Sequence, residues 1–236
     1  MPINWSVFKS ILNIDINSSQ QEQLLNFYEI LKQENKKHNL TRVINFEEVF
    51  YKHFLDCLVF TQNIKLNDQK IIDIGSGAGF PGIVLKIIFP NTKITLLDSN
   101  NKKISFLNKV INDLKLVNIR AVHERAEALS RIENEEYDIV ISRAVAYLDV
   151  ILELSVRFAK KNGKIILLKG PRGEQELASQ VKLAPKLNLK LDDVSHFYHS
   201  EIGKRINVFF TKVKETPELY PREYAKIVKE STKNNA

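Results

Sequence analysis

Between residues 71 and 82 the chain reads IIDIGSGAGFPG, with Gly75, Gly77, Gly79 and Gly82 inside eight positions directly after an apolar run. Glycine at that density lets a ligand come close to the backbone. Nucleotide phosphate, dinucleotide pyrophosphate and the methionine part of S-adenosylmethionine are all held by such turns, so the glycines alone do not choose. GAGFPG formally matches the dinucleotide fingerprint G-x-G-x-x-G, and Asp98, at the end of the next apolar run, stands where a ribose-binding acid belongs. Two features favour S-adenosylmethionine. Asp73, in DIGSG, places a carboxylate where it meets a cationic amino group and gains nothing beside a pyrophosphate. Phe80 and Pro81 occupy the place where a pyrophosphate-binding helix presents N–H groups, and proline has none. Ser76, Gly77 and Gly79 then belong to a loop shaped to pass under a thioether and an amino acid.

Asp98 suits either ligand, because a carboxylate accepts both ribose hydroxyls. Its plainer role is to cap the helix starting near residue 101, but Ser99 and Asn100 already serve that purpose. Further on, HERAEAL sets Ala126 and Glu127 at a strand end where an adenine rests. The plainer alternative for Glu127 is a solvated acid on a short helix.

These residues need a scaffold. From residue 70 short β-rich runs (KIIDI, KITLLD, NIRAVH, YDIVIS, KIILLK) alternate with helical patterns near 80–89, 101–115, 148–160 and 173–186. That alternation predicts a parallel sheet with helices on both faces. LKLDDVSHFY and RINVFFTKV are separated only by HSEIGK, too short for a crossover, so they pair antiparallel and the sheet closes with a reversed edge strand. Upstream, Ser19 and Glu22 read as a capping box before Leu24, Leu25, Tyr28 and Leu31, predicting a helix over 19–37. Val49, Phe50, His53, Phe54, Cys57 and Leu58 form the stripe of a second helix over 46–60. On that stripe His53 reads as a core residue, and Cys57 as buried far from the strand ends. The expected organisation is a helical extension over 1–66, the α/β domain over 67–214 and a basic tail over 215–236, with 227–236 polar and frayed.

At 236 residues and 44% apolar content the chain supplies a sizeable core. Its 35 Lys and Arg against 28 Asp and Glu give a net charge of +7, a standing attraction for polyanions. The single cysteine excludes an internal disulfide and any multi-cysteine zinc cluster, fits a reducing cytoplasm, and leaves no metal site expected. No run is long and apolar enough to span a bilayer, and the first residues lack the pattern of a signal peptide. A soluble, monomeric protein of the cytoplasm is expected.

NLTRV, HFLDCLVF, DIGSGAGFPGIVLKIIFP, LLDSNNKKISFL and SRAVAYL, in this order and spacing, resemble the glucose-inhibited division protein B family, over about residues 35–172. These are bacterial methyltransferases that modify N7 of a guanine in 16S ribosomal RNA. The resemblance implies a Rossmann-like S-adenosylmethionine-dependent methyltransferase, α/β with a seven-stranded, mostly parallel sheet and an N-terminal helical extension. It implies that Gly75 and Phe80 line the cofactor site, that Asp98, Ser99 and Asn100 meet ribose and adenosine, and that Ala126 and Glu127 lie at the adenine. Arg143 of SRA is then expected at the mouth shared by cofactor and substrate, where it positions one or the other. The implied partner is 16S ribosomal RNA or an assembling small subunit, and loss of the protein is expected to confer mild streptomycin resistance. Two departures bear on RNA contacts: Lys103 replaces an arginine common in relatives, and YPREYAKIVKES replaces a PRKAGTP-like tail.

Methyl transfer from a sulfonium is an in-line displacement that rests on positioning. The D/N-P-P-Y/F loop of amine methylases is replaced here by SRAVAYL, and a buried Cys57 does not suit pyrimidine C5 addition. Guanine N7 is already a lone-pair nucleophile and needs no general base. Lys102, Lys103, Arg125, Lys169, Arg172 and Arg205 gather near the strand ends as candidate RNA contacts, with phosphate grips expected of Arg125, Lys169 and Arg205. Tyr147 is expected either to stack on a base or to join the core. The competing classes are a nicotinamide oxidoreductase, which lacks a proton-transfer residue here, and a non-catalytic RNA-binding factor on the same fold.

Overall fold

Alternate residues of each central strand point to opposite faces of a sheet, and here both faces are apolar, so two cores form instead of one. In the computed structural model, which describes residues 4–180 and 182–234, Ile71, Ile139, Ile141, Ile166 and Leu168 join one core, while Ile72, Val140, Ile165 and Leu167 join the other.

The chain begins with α1 (Ser6–Leu12) and α2 (Ser18–His38), then a helical rod that starts as α3 (Phe46–Val49) and continues as a π segment (Phe50–Leu55) and a 3-10 segment (Asp56–Gln62). The alternating part follows: β1 (Lys70–Ile74), α4 (Gly82–Ile88), β2 (Lys93–Asp98), α5 (Asn101–Asp113), β3 (Ile119–His123), α6 (Ala126–Ile132), β4 (Tyr137–Arg143), α7 (Leu148–Val156) and β5 (Ala159–Lys169). It ends with α8 (Gly173–Gln180), α9 (Leu183–Lys186), β6 (Leu189–His199), β7 (Gly203–Lys212) and α10 (Tyr224–Asn234). The seven strands lie in the order β3-β2-β1-β4-β5-β7-β6. All pairings through β5 are parallel, whereas β7 is antiparallel to both β5 and β6. The expected antiparallel pair therefore closes the sheet, with the reversed strand β7 second from the edge and β6 outermost. Strand order reverses between β1 and β4, which opens a crevice at their C-terminal ends.

One core unites α1, α2 and the rod with α4 and α5, and the other packs α7 and α9 on the opposite face. Phe8, Trp5 and Phe50 form an aromatic cluster that fixes α1 to the rod, an element the sequence reading did not anticipate. Three further expectations are corrected. The capping box of α2 is Asn17 with Gln20, so Ser19 already lies inside the helix. The pattern over 173–186 is two helices. The run expected to fray forms most of α10, whose Ile227 is buried against Val150 and Leu154 and whose Ser231 Oγ donates to Asp149 Oδ1 at 2.7 Å.

Candidate active site

At the tip of β1 the backbone turns sharply, and Gly75 and Ser76 both donate their N–H to the Leu97 carbonyl, at 2.7 and 3.0 Å. Asp73 anchors the far end: its Oδ2 accepts the Gly82 N–H at 3.0 Å, while its buried Oδ1 has no hydrogen-bond partner. Burial pushes the Asp73 carboxyl up to about 7. The glycines divide by what surrounds them. A Cβ at Gly79 would strike Ile83 at 2.6 Å and one at Gly82 would strike Leu96 at 2.2 Å, so these two serve packing. A Cβ at Gly77 would meet only the Gly75 carbonyl oxygen at 3.8 Å, and its φ of +57° favours glycine. Gly77 is thus the position whose bareness a ligand can use.

Beside this loop lies a cleft of about 270 Å³ lined by the tips of β1, β2, β3 and β4 and by the start of α10. Asp98 is its polar centre. One carboxylate oxygen accepts the Gly77 N–H at 2.9 Å and the other accepts the Asn100 N–H at 2.9 Å, which fixes both oxygens at the cleft edge. Gly75, Ser99, Ala126 and Glu127 line the cleft as expected. Others do not. Asn100 spends its side chain capping α5, accepting from the Lys102 and Lys103 N–H groups. Asp73, Ser76, Gly77, Gly79 and Phe80 do not line the cleft, Gly77 reaching its edge only through its N–H to Asp98. The Asp73 carboxylate is sealed below the loop, Ser76 Oγ donates to the Asp73 carbonyl, and Phe80 stacks on His53 with ring centroids 4.4 Å apart. Lys103 and Arg125, expected on RNA, line this cleft instead. Lys103 Nζ lies 3.5 Å from Asp98 Oδ2, and Arg125 pairs with Glu127 at 3.0 Å while sitting 4.5 Å over the Tyr224 ring. Glu124, Val145 and Tyr224 also line the cleft and were missed, Tyr224 because nothing local in the tail marks it as near residue 125.

A second cavity, of about 210 Å³, adjoins the first, and Ala144 lines both. Arg143 belongs here and not to the first cleft. Its guanidinium donates to the Lys52 carbonyl at 2.8 Å and to Cys57 Sγ at 2.9 Å, and lies 3.4 Å from Asp56 Oδ2. Cys57 is buried as expected, but it touches the residue at the tip of β4, so its expected remoteness from the strand ends is corrected. Burial pushes its thiol up to about 12. His53 Nδ1 lies 2.9 Å from the Lys52 carbonyl and its Nε2 lies 3.3 Å from Thr41 Oγ1; burial and the neighbouring Arg143 bring it down to about 3. Arg205 Nε donates to Asp56 Oδ1 at 2.8 Å. Lys169 is buried, bonded to the Ala146 carbonyl at 2.5 Å and to Glu176 at 2.9 Å, which corrects its expected grip on phosphate. Lys102 and Arg172 are exposed, and Tyr147 is half exposed at the start of α7. Among the described residues no group of three or more His, Cys, Asp or Glu side chains is placed to hold a metal ion.

The residues present fit S-adenosylmethionine. Gly77, whose N–H holds the Asp98 carboxylate, leaves its own Cα side open, and the cleft carries Asp98, Glu124 and Glu127 against Lys103 and Arg125, an acidic balance suited to a cationic ligand.

Comparison with known proteins agrees. The model of the GidB family, described as rRNA small subunit methyltransferase G, matches residues 20–222. A protein of that name from Mesoplasma florum is 59% identical over 230 residues, covering 98% of this chain and 97% of the relative. Another, from Mycoplasma capricolum, is 50% identical over 97% of this chain and 98% of the relative. Among solved structures, M. jannaschii TYW2 in complex with AdoMet aligns with a TM-score of 0.54 at 16% identity, covering 73% of this chain and 80% of that one. Precorrin-6y C5,15-methyltransferase from Geobacter metallireducens aligns at 0.51 and 15% identity, over 68% of this chain and 88% of that one. These structures share the fold.

Proposed function

The chain belongs to the rRNA small subunit methyltransferase G family, and on that premise we propose that its two adjoining cavities carry out one methyl transfer to N7 of a guanine in 16S ribosomal RNA. It is an S-adenosylmethionine-dependent ribosomal RNA methyltransferase. When bound, S-adenosylmethionine supplies an electrophilic methyl on a sulfonium. Asp98 would bind the ribose hydroxyls, Ala126, Glu127 and Tyr224 would surround the adenine, and Gly77 would leave room for the amino-acid end beside the loop that Asp73 braces from below. Arg143 acts on the acceptor side of Ala144.

The observation that carries the choice of N7 is the state of the titratable groups around the junction. Cys57 is buried with its Sγ against Arg143, Asp56 is held between Arg143 and Arg205, Asp73 is sealed beneath the loop, and His53 is stacked on Phe80 with both ring nitrogens engaged. None is free to take a proton from a base, and guanine N7 has none to lose. The N7–CH₃ bond forms as the S–CH₃ bond breaks; the sulfur leaves as a neutral thioether and the positive charge passes to the base. Exposed Lys102 and Arg172 are placed to meet RNA phosphates, in keeping with the net charge of +7. Among the described residues no helix is long and apolar enough to cross a membrane, and the reading extends to a monomer acting in the cytoplasm on 16S RNA or an assembling subunit.

Incubating the protein with methyl-labelled S-adenosylmethionine and either 16S RNA or small subunits, then mapping the product, tests this. A single 7-methylguanine is expected; label on an exocyclic amine, on carbon or nowhere would sink the assignment.

A further inference from the structure

Every polar side chain that faces the second cavity carries donors except one, and that one is already committed. Asp56, the sole carboxylate of the lining, is held between Arg205 at 2.8 Å and Arg143 at 3.4 Å. Lys169 is anchored by Glu176 and the Ala146 carbonyl. The remaining polar side chain is Asn207, at the centre of β7 opposite Leu168 of β5. It is 3% exposed, and its Nδ2 is buried with no hydrogen-bond partner. A buried amide donor left unpaired is unfavourable, so a strand holding one in a cavity wall is built for an incoming acceptor.

We propose that Asn207 is a specificity-determining residue, donating through Nδ2 to O6 of the target guanine in this second cavity. The inference rests on the guanine reading given above and deepens it. On its Hoogsteen edge guanine presents O6 and N7, both acceptors, whereas adenine presents an amino group where O6 stands. A wall of donors therefore accepts guanine and opposes adenine. A bond to O6 leaves the N7 lone pair free toward Ala144, the residue shared with the cofactor cleft. The cavity is smaller than the roughly 300–1,000 Å³ of pockets that enclose whole drug-sized ligands, which suits a flipped base and leaves ribose and phosphate outside. Asp56 is then a positioning residue, holding the two guanidiniums so that neither closes on N7.

The test uses Asn207→Leu, close in shape and without the amide. Removal of an unsatisfied buried donor is expected to leave the melting temperature of the free protein unchanged or higher, while kcat/KM for guanine methylation falls about ten- to hundredfold and S-adenosylmethionine affinity stays the same. A second arm replaces the target guanine in synthetic RNA with inosine, which keeps O6, or 2-aminopurine, which lacks it. The wild type is expected to use inosine like guanine and to reject 2-aminopurine, and Asn207→Leu to lose that discrimination. A variant that melts lower, or one that still discriminates at full rate, overturns the proposal by making Asn207 structural. Wild-type protein that methylates no guanine at all overturns the underlying reaction, a result distinct from failure of the subsite alone.

Discussion

The two cavities that meet at Ala144 are built in opposite ways. The first is assembled mainly from short stretches that end or follow single strands, residues 74–75, 97–99, 124–127 and 144–145, with Lys103, Leu154 and Tyr224 reaching in from helices. The second takes Asp56 from the helical rod, Arg143 from β4, Lys169 from β5, and Arg205 and Asn207 from β7. Its central ion pair, Asp56 with Arg205, joins residues 149 apart in sequence. On the proposed reading, cofactor handling is a property of loops on parallel strands, whereas acceptor handling depends on an N-terminal rod and a C-terminal hairpin being docked on the same sheet. Asp56→Ala probes this most severely. It strands two largely buried guanidiniums, and breaking such a cluster from one side costs about 3–5 kcal/mol. Chemical denaturation should show that loss. Under conditions where the variant is still folded, S-adenosylmethionine affinity by calorimetry should be little changed while methyl transfer collapses. A parallel fall in cofactor affinity would mean that the two cavities are one energetic unit.

The converse substitution is Asp98→Ala. Charge-assisted bonds to ribose hydroxyls are worth about 1.5–3 kcal/mol, so cofactor affinity should fall about ten- to hundredfold. RNA binding measured without cofactor should hold, because Asp98 lies on the far side of Ala144. Calorimetry that finds unchanged cofactor affinity would reduce Asp98 to a brace for the Gly77 and Asn100 N–H groups.

The same contrast explains what the sequence disclosed. Parallel strands carry their apolar alternation and their glycine turn in contiguous residues, so the sheet, the loop and Asp98, Ser99, Ala126 and Glu127 were legible. Phe80 was legible as part of the loop, but its side chain turned under the loop to stack on His53, a partner 27 residues upstream that periodicity alone reads as core. Lys103, Arg125 and Lys169 were read as RNA contacts because a lone cation near a strand end looks free; their partners Asp98, Tyr224 and Glu176 are visible only once the chain is folded. Asn207 left no signal at all, since an asparagine inside an apolar strand has no local pattern to betray an unpaired amide.

The two regions should also differ in the sign of their pH response. Asp73, under the first cleft, is pushed up from 3.8 to about 7, so across that interval the native state holds a proton that the unfolded chain releases, and stability falls as pH rises. His53, beside the second cavity, is brought down from 6.5 to about 3, so there the unfolded chain takes up the extra proton and stability rises with pH. Between about pH 4 and 6.5 the two slopes oppose. Asp73→Asn should expose the His53 slope, with stability dropping by up to about 1.4 kcal/mol per pH unit as the solution is acidified. His53→Gln should expose the Asp73 slope, with stability dropping as the solution is made more alkaline. Urea titrations at four or five pH values read both, and two variants with the same sign would refute the assignment.

The smallest effect is expected at the residue that the C-terminal helix brings to the first cleft. Tyr224 lies two residues past the stretch matched by the family model, yet its ring supports the Arg125 guanidinium at the cleft mouth. Tyr224→Ala leaves α10 docked, because Ile227 and the Ser231 bond to Asp149 are untouched. What it removes is a partly exposed cation–π contact of about 0.5–1 kcal/mol, together with part of the wall of the first cleft. S-adenosylmethionine should bind about two- to fivefold more weakly, with no change in melting temperature beyond that contact. Tyr224→Phe keeps the ring face and should bind like the wild type. Equal losses in both variants would move the effect to the hydroxyl. No loss in either would make α10 a brace for α7 alone, and the cofactor cleft would then be wholly the product of its local loops.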